Sequence, residues 1–200
     1  MTIALIADAE QGAYIINKFA AIDWQWVFSI KDLPANAAAI FILKEGLTID
    51  FSSIEIPIFI NSVSTTLAEM RSPENVLRLN GWKGFLARPV WEVAGKVTDE
   101  VKNIFVGLNK QFIVVPDKPG FIAARVVAMI INEAWFALEA AVSTKAEIDT
   151  AMKLGTNYPY GPFEWGAIIG TANILQLLQK LSNTNHKYLP APLLIKNNHS

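Results

Sequence analysis

The sequence predicts an α/β domain followed by an all-α domain, and three observations carry this prediction. Over residues 1–116, short apolar runs alternate with amphipathic segments, which is typical of a mainly parallel sheet covered by helices. The segment 116–120 (PDKPG) interrupts that alternation with turn residues. Residues 117–200 then contain only segments with helical spacing. We therefore place a domain boundary between residues 116 and 117.

The first domain is expected to begin with a strand, because residues 3–7 (IALIA) are apolar throughout, as in a strand buried on both faces. Turn residues at 8–11 separate it from a helix over residues 12–22, in which Ala13 and Ile16 have helical spacing. Similar patterns predict strands at 24–29, 38–43, 56–60, 75–79, 89–94 and 111–115, a loop at 44–53, and helices at 64–70 and 97–109.

The second domain opens with one long helical stretch over residues 119–142. Thr144 and Glu147 have the spacing of a capping box, which predicts the start of a second helix, and Gly155 stands where that helix should end. Pro162 is well placed in the first turn of a third helix, and Gly170 separates that helix from a fourth at 172–182. Residues 183–200 form a tail of little periodicity.

The composition excludes several kinds of site. The chain has no cysteine, which rules out disulfides, thiol nucleophiles and thiolate metal ligands. Its two histidines, His186 and His199, both lie within the last fifteen residues, so neither a metal site nor a Ser-His-Asp triad is expected. The mean hydropathy of +0.30 is high, which suggests that some apolar surface is buried between subunits.

The charge pattern bears on partners and location. The net charge is -1 and no cluster of lysine and arginine stands out, so neither nucleic acid nor an anionic membrane surface is an expected partner. No apolar run approaches the ~20 residues that span a bilayer. The opening residues, MTIALIADAE, lack the basic region of a secretory signal. We therefore expect a cytoplasmic protein.

An ordered set of short motifs in residues 117–200 resembles the C-terminal domain of the 3-hydroxyacyl-CoA dehydrogenase family. The resemblance implies a Rossmann-like domain ahead of it, which in this chain is shortened. It also implies NAD as cofactor, an acyl-CoA ligand and a homodimer formed through residues 117–200. The motifs are Asp117, Pro119-Gly120-Phe121-Ile122, Arg125, Asn132-Glu133-Ala134, Glu147-Ile148-Asp149, Ala151-Met152-Lys153-Leu154-Gly155, Pro159, Gly161-Pro162, Glu164 and Pro192-Leu193-Leu194.

The resemblance implies a nucleotide-binding turn after the first strand, but its glycines are mostly replaced. In a Gly-x-Gly-x-x-Gly turn, the glycines let the backbone approach a pyrophosphate. Here Ala7 and Ala9 stand at the first two positions and only Gly12 remains. Asp8 and Glu10 would add negative charge beside a phosphate. The turn is interpreted either as a degenerate cofactor site or as a plain strand-to-helix turn whose acids suit the helix N-terminus.

The positions that the resemblance assigns to catalysis are also altered. Asn80 stands where the family has its general base, a histidine, and asparagine cannot accept a proton near pH 7. Glu92 stands where the family has a glutamate that orients the base. Three interpretations of Glu92 are open: a relic, a solvated strand residue or a base in altered chemistry. Ala124 replaces an asparagine that contacts the substrate carbonyl. Ser64 offers a hydroxyl that contacts an acyl group or forms a hydrogen bond within its own turn. Asp32 lies in a loop, two residues later in the chain than the acid that holds the ribose in such a fold.

Two functional hypotheses follow. In the first, the protein is a 3-hydroxyacyl-CoA dehydrogenase-like protein of fatty-acid and acyl-CoA metabolism with a lost or impaired NAD site and catalytic base, a pseudoenzyme that binds acyl-CoA or only pairs with itself or an active relative. In the second, it is an active NAD-dependent oxidoreductase that interconverts 3-hydroxyacyl-CoA and 3-oxoacyl-CoA, with Glu92 and water in place of the lost base. Lys153 would meet a CoA phosphate or lie against the end of its own helix.

Overall fold

A computed structural model describes residues 1–44, 46–47 and 49–198. His199 and two positions of the expected loop at 44–53, Glu45 and Thr48, lie outside the described residues. The chain forms two compact units, Met1–Phe121 and Ile122–Ser200. The first unit therefore extends five residues beyond the boundary expected after residue 116.

The described part of the first unit contains a seven-stranded sheet. Its strands lie in the order β2-β1-β3-β4-β5-β6-β7, and all neighbouring pairs are parallel except β5 and β6. This confirms the predicted α/β class with a mainly parallel sheet. The strands are β1 (Thr2–Ile6), β2 (Asp23–Trp26), β3 (Ala37–Ile42), β4 (Ile58–Asn61), β5 (Val76–Leu79), β6 (Val90–Ala94) and β7 (Gln111–Val114).

The sheet is covered on both faces, as the uniformly apolar strands predict. Along β1, Ile3 and Leu5 point into one core cluster, whereas Ala4 and Ile6 point into another. The first cluster is rich in aromatic side chains, and the rings of Phe41 and Phe59 are stacked with their centroids 4.5 Å apart. The described helices of this unit are α1 (Ala9–Lys18), α2 (Leu67–Met70) and α3 (Asp99–Gly107).

The first unit departs from the sequence prediction mainly at element ends. Helix α1 begins at Ala9 and not at residue 12, because Asp8 acts as its N-cap and the turn residues form the first helical turn. Helix α2 begins only at Leu67, because a capping box formed by Thr66 and Glu69 fixes its start. Strand β2 ends at Trp26, three residues before the predicted end.

The second unit is helical throughout its regular structure, as predicted. The capping box is present: the Glu147 carboxylate accepts hydrogen bonds from the Thr144 hydroxyl at 2.8 Å and the Thr144 amide at 3.1 Å. The long helix begins at Ala123 and not at residue 119, because Gly120 and Phe121 have positive φ and form a turn. The helices described are α4 (Ala123–Glu139), α5 (Lys145–Thr156), α6 (Pro162–Ile169), α7 (Thr171–Ser182) and α8 (Pro192–Asn197).

The C-terminal tail is more ordered than its sequence indicates. Helix α8 begins with a proline at its first position, and the segment before it is held by Asn132 of α4. The Asn132 amide donates to the Leu189 carbonyl at 2.9 Å, and its oxygen accepts from the Ala191 amide at 2.8 Å. Because this order depends on a residue some sixty positions away, local periodicity did not predict it.

Among the residues that the structure describes, none of the helices is both long enough and apolar enough to cross a bilayer.

Candidate functional site

The pair formed by Asn80 and Glu92 lies at the carboxyl end of the parallel strands in the first unit. Asn80 directly follows β5, and Glu92 lies in β6, the strand that runs antiparallel to β5. The Asn80 amide donates to the Glu92 carbonyl at 3.1 Å, and the Asn80 side-chain Nδ2 donates to Glu92 Oε2 at 2.8 Å. The structure therefore brings together two of the residues that the resemblance assigned to catalysis.

Both members of this pair are buried, with 3% of Asn80 and 7% of Glu92 exposed. Glu92 is therefore not a solvated strand residue, which removes one of the three interpretations of this position. Asn80 Oδ1 is also buried and has no hydrogen-bond partner within the described parts of the chain. Since an amide neither gains nor loses a proton near pH 7, the pair can hold a polar group but cannot act as the histidine base would.

A polar network joins the ends of several strands beside this pair. Asn61, the last residue of β4, donates to the Leu43 carbonyl at 3.1 Å and accepts from the Gly81 amide at 3.1 Å. Gln11 of α1 donates to the Gly81 carbonyl at 2.8 Å. A side chain at position 81 would lie 2.9 Å from the Asn61 side chain, so this position requires glycine. The sequence analysis missed Gln11 and Gly81, because their role depends on strands distant in sequence.

The turn after β1 provides a hydrogen-bond acceptor for the N-terminus of helix α1. The Asp8 carboxylate accepts the Gln11 amide at 2.8 Å, which uses one of the free N–H groups of α1. Glu10 forms an ion pair with Lys83 at 2.5 Å. Ala7 is half-buried against the aromatic core cluster, and Ala9 is exposed. The acids of this turn thus bind groups of this chain.

Gly12, the one retained glycine of the turn, is required by packing. A Cβ atom at this position would lie 2.4 Å from a ring carbon of Trp26, the last residue of β2. The indole of Trp26 therefore rests directly on the backbone of α1. This contact explains the glycine without any ligand.

The acid that was considered for a ribose contact is also engaged. Asp32 Oδ2 accepts from the Ser29 hydroxyl at 3.0 Å and from the Ser29 amide at 3.2 Å. These bonds form the capping box of a short 3-10 helix over Ile30–Asp32. Asp32 therefore has a structural role in the loop after β2.

A buried arginine that the sequence analysis missed organises the segment containing Ser64. Arg78 is fully buried in β5 and forms an ion pair with Asp117 at 2.6 Å. It also donates to the carbonyls of Ser62 at 2.7 Å and Val63 at 2.8 Å. Burial lowers the pKa of the Arg78 guanidinium, and the Asp117 carboxylate opposes that shift. Ser64 is buried in the turn that Arg78 fixes.

The same arginine accounts for the position of the unit boundary. Its guanidinium lies 4.6 Å from the ring centroid of Phe121, and Gly120 donates its amide to the Val63 carbonyl at 2.8 Å. Residues up to Phe121 are therefore held by the first unit. An arginine inside the otherwise apolar run Val76–Leu79 is the sequence signal that would have revealed this network, since a charge in a buried strand needs a partner.

The remaining assigned positions lie in the second unit. Ala124 is fully buried in the first turn of α4, so its methyl group belongs to the packed interior. Lys153 forms an ion pair with Glu164 at 2.5 Å, which joins α5 to α6. Across the described residues, His, Asp and Glu side chains do not come together in groups of three or more that would hold a metal ion.

Comparison with known proteins bears first on the class of the molecule. A Rossmann-like sheet unit followed by a helical unit is an architecture of two-domain dehydrogenases. The chain is similar in structure to FadB2 of M. tuberculosis (TM-score 0.78, 14% identity, covering 99% of this chain and 93% of that one). It is also similar to the (S)-3-hydroxybutyryl-CoA dehydrogenase of Ralstonia eutropha (TM-score 0.68, 18% identity, covering 98% and 92%). At these identities the likeness shows the fold.

Sequence comparison identifies a family model that matches the helical unit. The family model described as "3-hydroxyacyl-CoA dehydrogenase, C-terminal domain" matches residues 120–197. The 3-hydroxyadipyl-CoA dehydrogenase of Escherichia coli is 48% identical over 88 residues, which are 43% of this chain and 18% of that protein. A 3-hydroxybutyryl-CoA dehydrogenase of Bradyrhizobium diazoefficiens is 38% identical over 111 residues, which are 52% of this chain and 38% of that protein. The helical unit therefore matches the C-terminal domain of the 3-hydroxyacyl-CoA dehydrogenases, and the resemblance seen in residues 117–200 is confirmed.

These alignments cover less than half of each curated relative. The family model lies within the helical unit, and the fold likeness covers both units. The architecture and the match of the helical unit are therefore established, whereas the residues at Asn80, Glu92 and the α1 turn have to be interpreted from their own geometry.

Proposed function

We propose that this protein is a 3-hydroxyacyl-CoA dehydrogenase-like protein that binds acyl-CoA and has lost, or nearly lost, dehydrogenase activity. The observation that carries the proposal is the buried Asn80–Glu92 pair, joined at 2.8 Å where the family resemblance places its general base. An amide in that position does not accept the proton of a hydroxyl group. The chain has no histidine before His186 that would replace it.

The geometry of the α1 turn supports an impaired NAD site. Its helix N-terminus is capped by Asp8, and Trp26 presses on the backbone at Gly12. A pyrophosphate in such a turn needs free backbone N–H groups, and here it would meet two carboxylates, those of Asp8 and Glu10. With Asp32 engaged by Ser29, a ribose also lacks its usual acid. The residues present therefore do not fit the dinucleotide.

Self-association through residues 117–200 is part of the same proposal. Helix α4 exposes Val126 at 51% and borders a shallow apolar groove of about 410 Å³ that also contains Met129, Ile130 and Tyr188. An exposed apolar strip of this kind favours contact with a second copy of the chain. A Val126→Glu variant is expected to shift the chain toward the monomer in sedimentation analysis. Val106→Glu, at a more exposed valine of the first unit (77% exposed), is expected to leave the assembly state unchanged.

An active oxidoreductase is the alternative, and one observation favours it. Glu92 keeps a buried carboxylate at the carboxyl ends of the strands. A carboxylate of that kind, acting with a water molecule, would serve as a base in altered chemistry. The alternative requires that NAD still binds in spite of the α1 turn.

Calorimetric titration separates the two functions. We expect acyl-CoA to bind and NADH to give no heat up to millimolar concentration. Micromolar binding of NADH, followed by NADH-dependent turnover of acetoacetyl-CoA, would establish the oxidoreductase instead. If neither CoA esters nor NADH bind, the proposed acyl-CoA function is wrong and self-association or another protein partner remains.

A further inference from the structure

The inference concerns the buried amide oxygen of Asn80. A carboxylate offers only acceptor atoms, so an amide beside it turns its NH₂ group toward the carboxylate. The 2.8 Å contact from Asn80 Nδ2 to Glu92 Oε2 has this orientation. The orientation leaves Asn80 Oδ1 as a buried acceptor without a partner among the described residues. At Oδ1 the site therefore presents a buried acceptor that a hydrogen-bond donor would satisfy.

The polar groups nearest in sequence and in the network do not supply the missing donor. The Gly81 amide is bound to Asn61 Oδ1, and the side-chain NH₂ of Gln11 is bound to the Gly81 carbonyl. The Asn80 backbone amide is bound to the Glu92 carbonyl. A buried acceptor without a donor costs free energy that a bound donor recovers, so a water molecule or a ligand that reaches the site would supply the donor.

We propose that Asn80 makes this site selective for the oxidation state of its ligand, so that a 3-hydroxyacyl-CoA is bound in preference to the corresponding 3-oxoacyl-CoA. This rests on the proposed acyl-CoA function. A hydroxyl group has a hydrogen to donate to Asn80 Oδ1, whereas a keto oxygen carries only lone pairs and would face another oxygen. A histidine ring nitrogen accepts a hydrogen bond when the ring is neutral and donates one when it is protonated, and so serves both oxidation states. The bond to Glu92 holds the Asn80 amide in one orientation, so Oδ1 remains an acceptor.

The selectivity is a property of binding and requires no turnover. A site built to form a hydrogen bond with a hydroxyl rejects the ligand that lacks it, because the buried polar group is then left unpaired. The protein would therefore hold the reduced ester and leave the oxidised ester free. Asn80 acts here as a specificity-determining residue.

The test is a set of calorimetric titrations of the full chain, without nicotinamide cofactor, using CoA, butyryl-CoA, 3-hydroxybutyryl-CoA and acetoacetyl-CoA. We expect 3-hydroxybutyryl-CoA to bind about tenfold more tightly than acetoacetyl-CoA, with butyryl-CoA between them. In Asn80→Leu, which removes the acceptor, the ratio should fall to about one. In Asn103→Leu, an exposed asparagine of α3 in the same unit, it should stay near ten.

The outcomes that overturn the inference differ from those that overturn the proposed function. Equal affinity of the wild-type chain for the hydroxy and oxo esters overturns the selectivity, for example because water always occupies the acceptor, and leaves acyl-CoA binding intact. Tighter binding of acetoacetyl-CoA, or equal binding of CoA alone, also overturns the selectivity. No binding of any CoA ester overturns both. The ratio of the two affinities in the wild-type chain decides the question. The inference is therefore tested even if the Asn80→Leu variant fails to fold.

Discussion

The two units of this chain treat their polar residues differently. In the helical unit, polar side chains such as Asn132, Thr144 and Glu147 form capping and loop contacts, and the dehydrogenase family model matches residues 120–197. In the sheet unit, polar groups at the strand ends bind one another: Asp8 caps its own helix, and Asn80 faces Glu92. The comparison teaches that the polar groups which the family resemblance would place near a cofactor contact other groups of this chain in the sheet unit.

The largest expected effect is in the sheet unit, at its buried ion pair. Arg78→Met removes the donor to Asp117, Ser62 and Val63, and we expect a loss of about 3–5 kcal/mol in the free energy of unfolding. Urea unfolding followed by tryptophan fluorescence measures the loss. The control is Arg88→Met, at an exposed arginine, which should change stability by less than about 1 kcal/mol. Similar midpoints for the two variants would show that the network does not stabilise the unit.

The corresponding test in the helical unit is Asn132→Ala. It leaves the Leu189 carbonyl and the Ala191 amide without their partner, and each buried bond lost costs about 1–2 kcal/mol. We expect a loss of about 2–3 kcal/mol in urea and faster amide hydrogen exchange in α8. Asn183→Ala, at an exposed end of α7, is the matched control. Unchanged exchange in α8 would mean that the tail is held by its apolar contacts alone.

Two glycine substitutions should act in opposite directions. Gly12→Ala puts a methyl group 2.4 Å from the Trp26 ring, and such overpacking costs about 1–3 kcal/mol. Gly155→Ala lies within α5 with no atom within 4 Å of the new methyl, so it should stabilise the chain by about 0.5–1 kcal/mol. Thermal unfolding of both variants checks the signs. A neutral Gly12→Ala would mean that the indole moves easily and that the glycine has another purpose.

The smallest expected effect is a pH dependence at the α5 capping box. Hydrogen bonds from the hydroxyls of Ser143 and Thr144 lower the pKa of Glu147 to about 2 from its ordinary value of 4.5. Because the folded-state pKa is lowered, this stabilisation is complete above about pH 4.5 and is lost as the pH falls toward 2. Glu147→Gln should therefore lower the melting temperature relative to wild type at pH 6 and much less at pH 3. An equal difference at both pH values would contradict this assignment, and Glu139→Gln, at an exposed glutamate, is the control.

The sequence predicted what depends on local pattern. Uniformly apolar runs located the strands, and the Thr144–Glu147 spacing located the start of α5. It did not predict the antiparallel direction of β6, because strand direction depends on pairing with distant strands. Nor did it predict the contact of Trp26 with Gly12, because that contact joins α1 to a strand that follows it in the chain. The polar network around Gly81 was missed for the same reason, since its members are up to 70 residues apart.

The antiparallel course of β6 has a consequence for how this site can change over time. Asn80 and Glu92 meet because the backbone ladder between β5 and β6 places them opposite each other, through the bond from the Asn80 amide to the Glu92 carbonyl. That backbone bond does not depend on which side chain stands at position 80. Asparagine and histidine codons differ by one nucleotide. A single nucleotide substitution would therefore place a titratable imidazole beside the Glu92 carboxylate. A histidine–glutamate pair is thus one nucleotide substitution away, whereas a Gly-x-Gly-x-x-Gly sequence in the α1 turn would need changes at both Ala7 and Ala9.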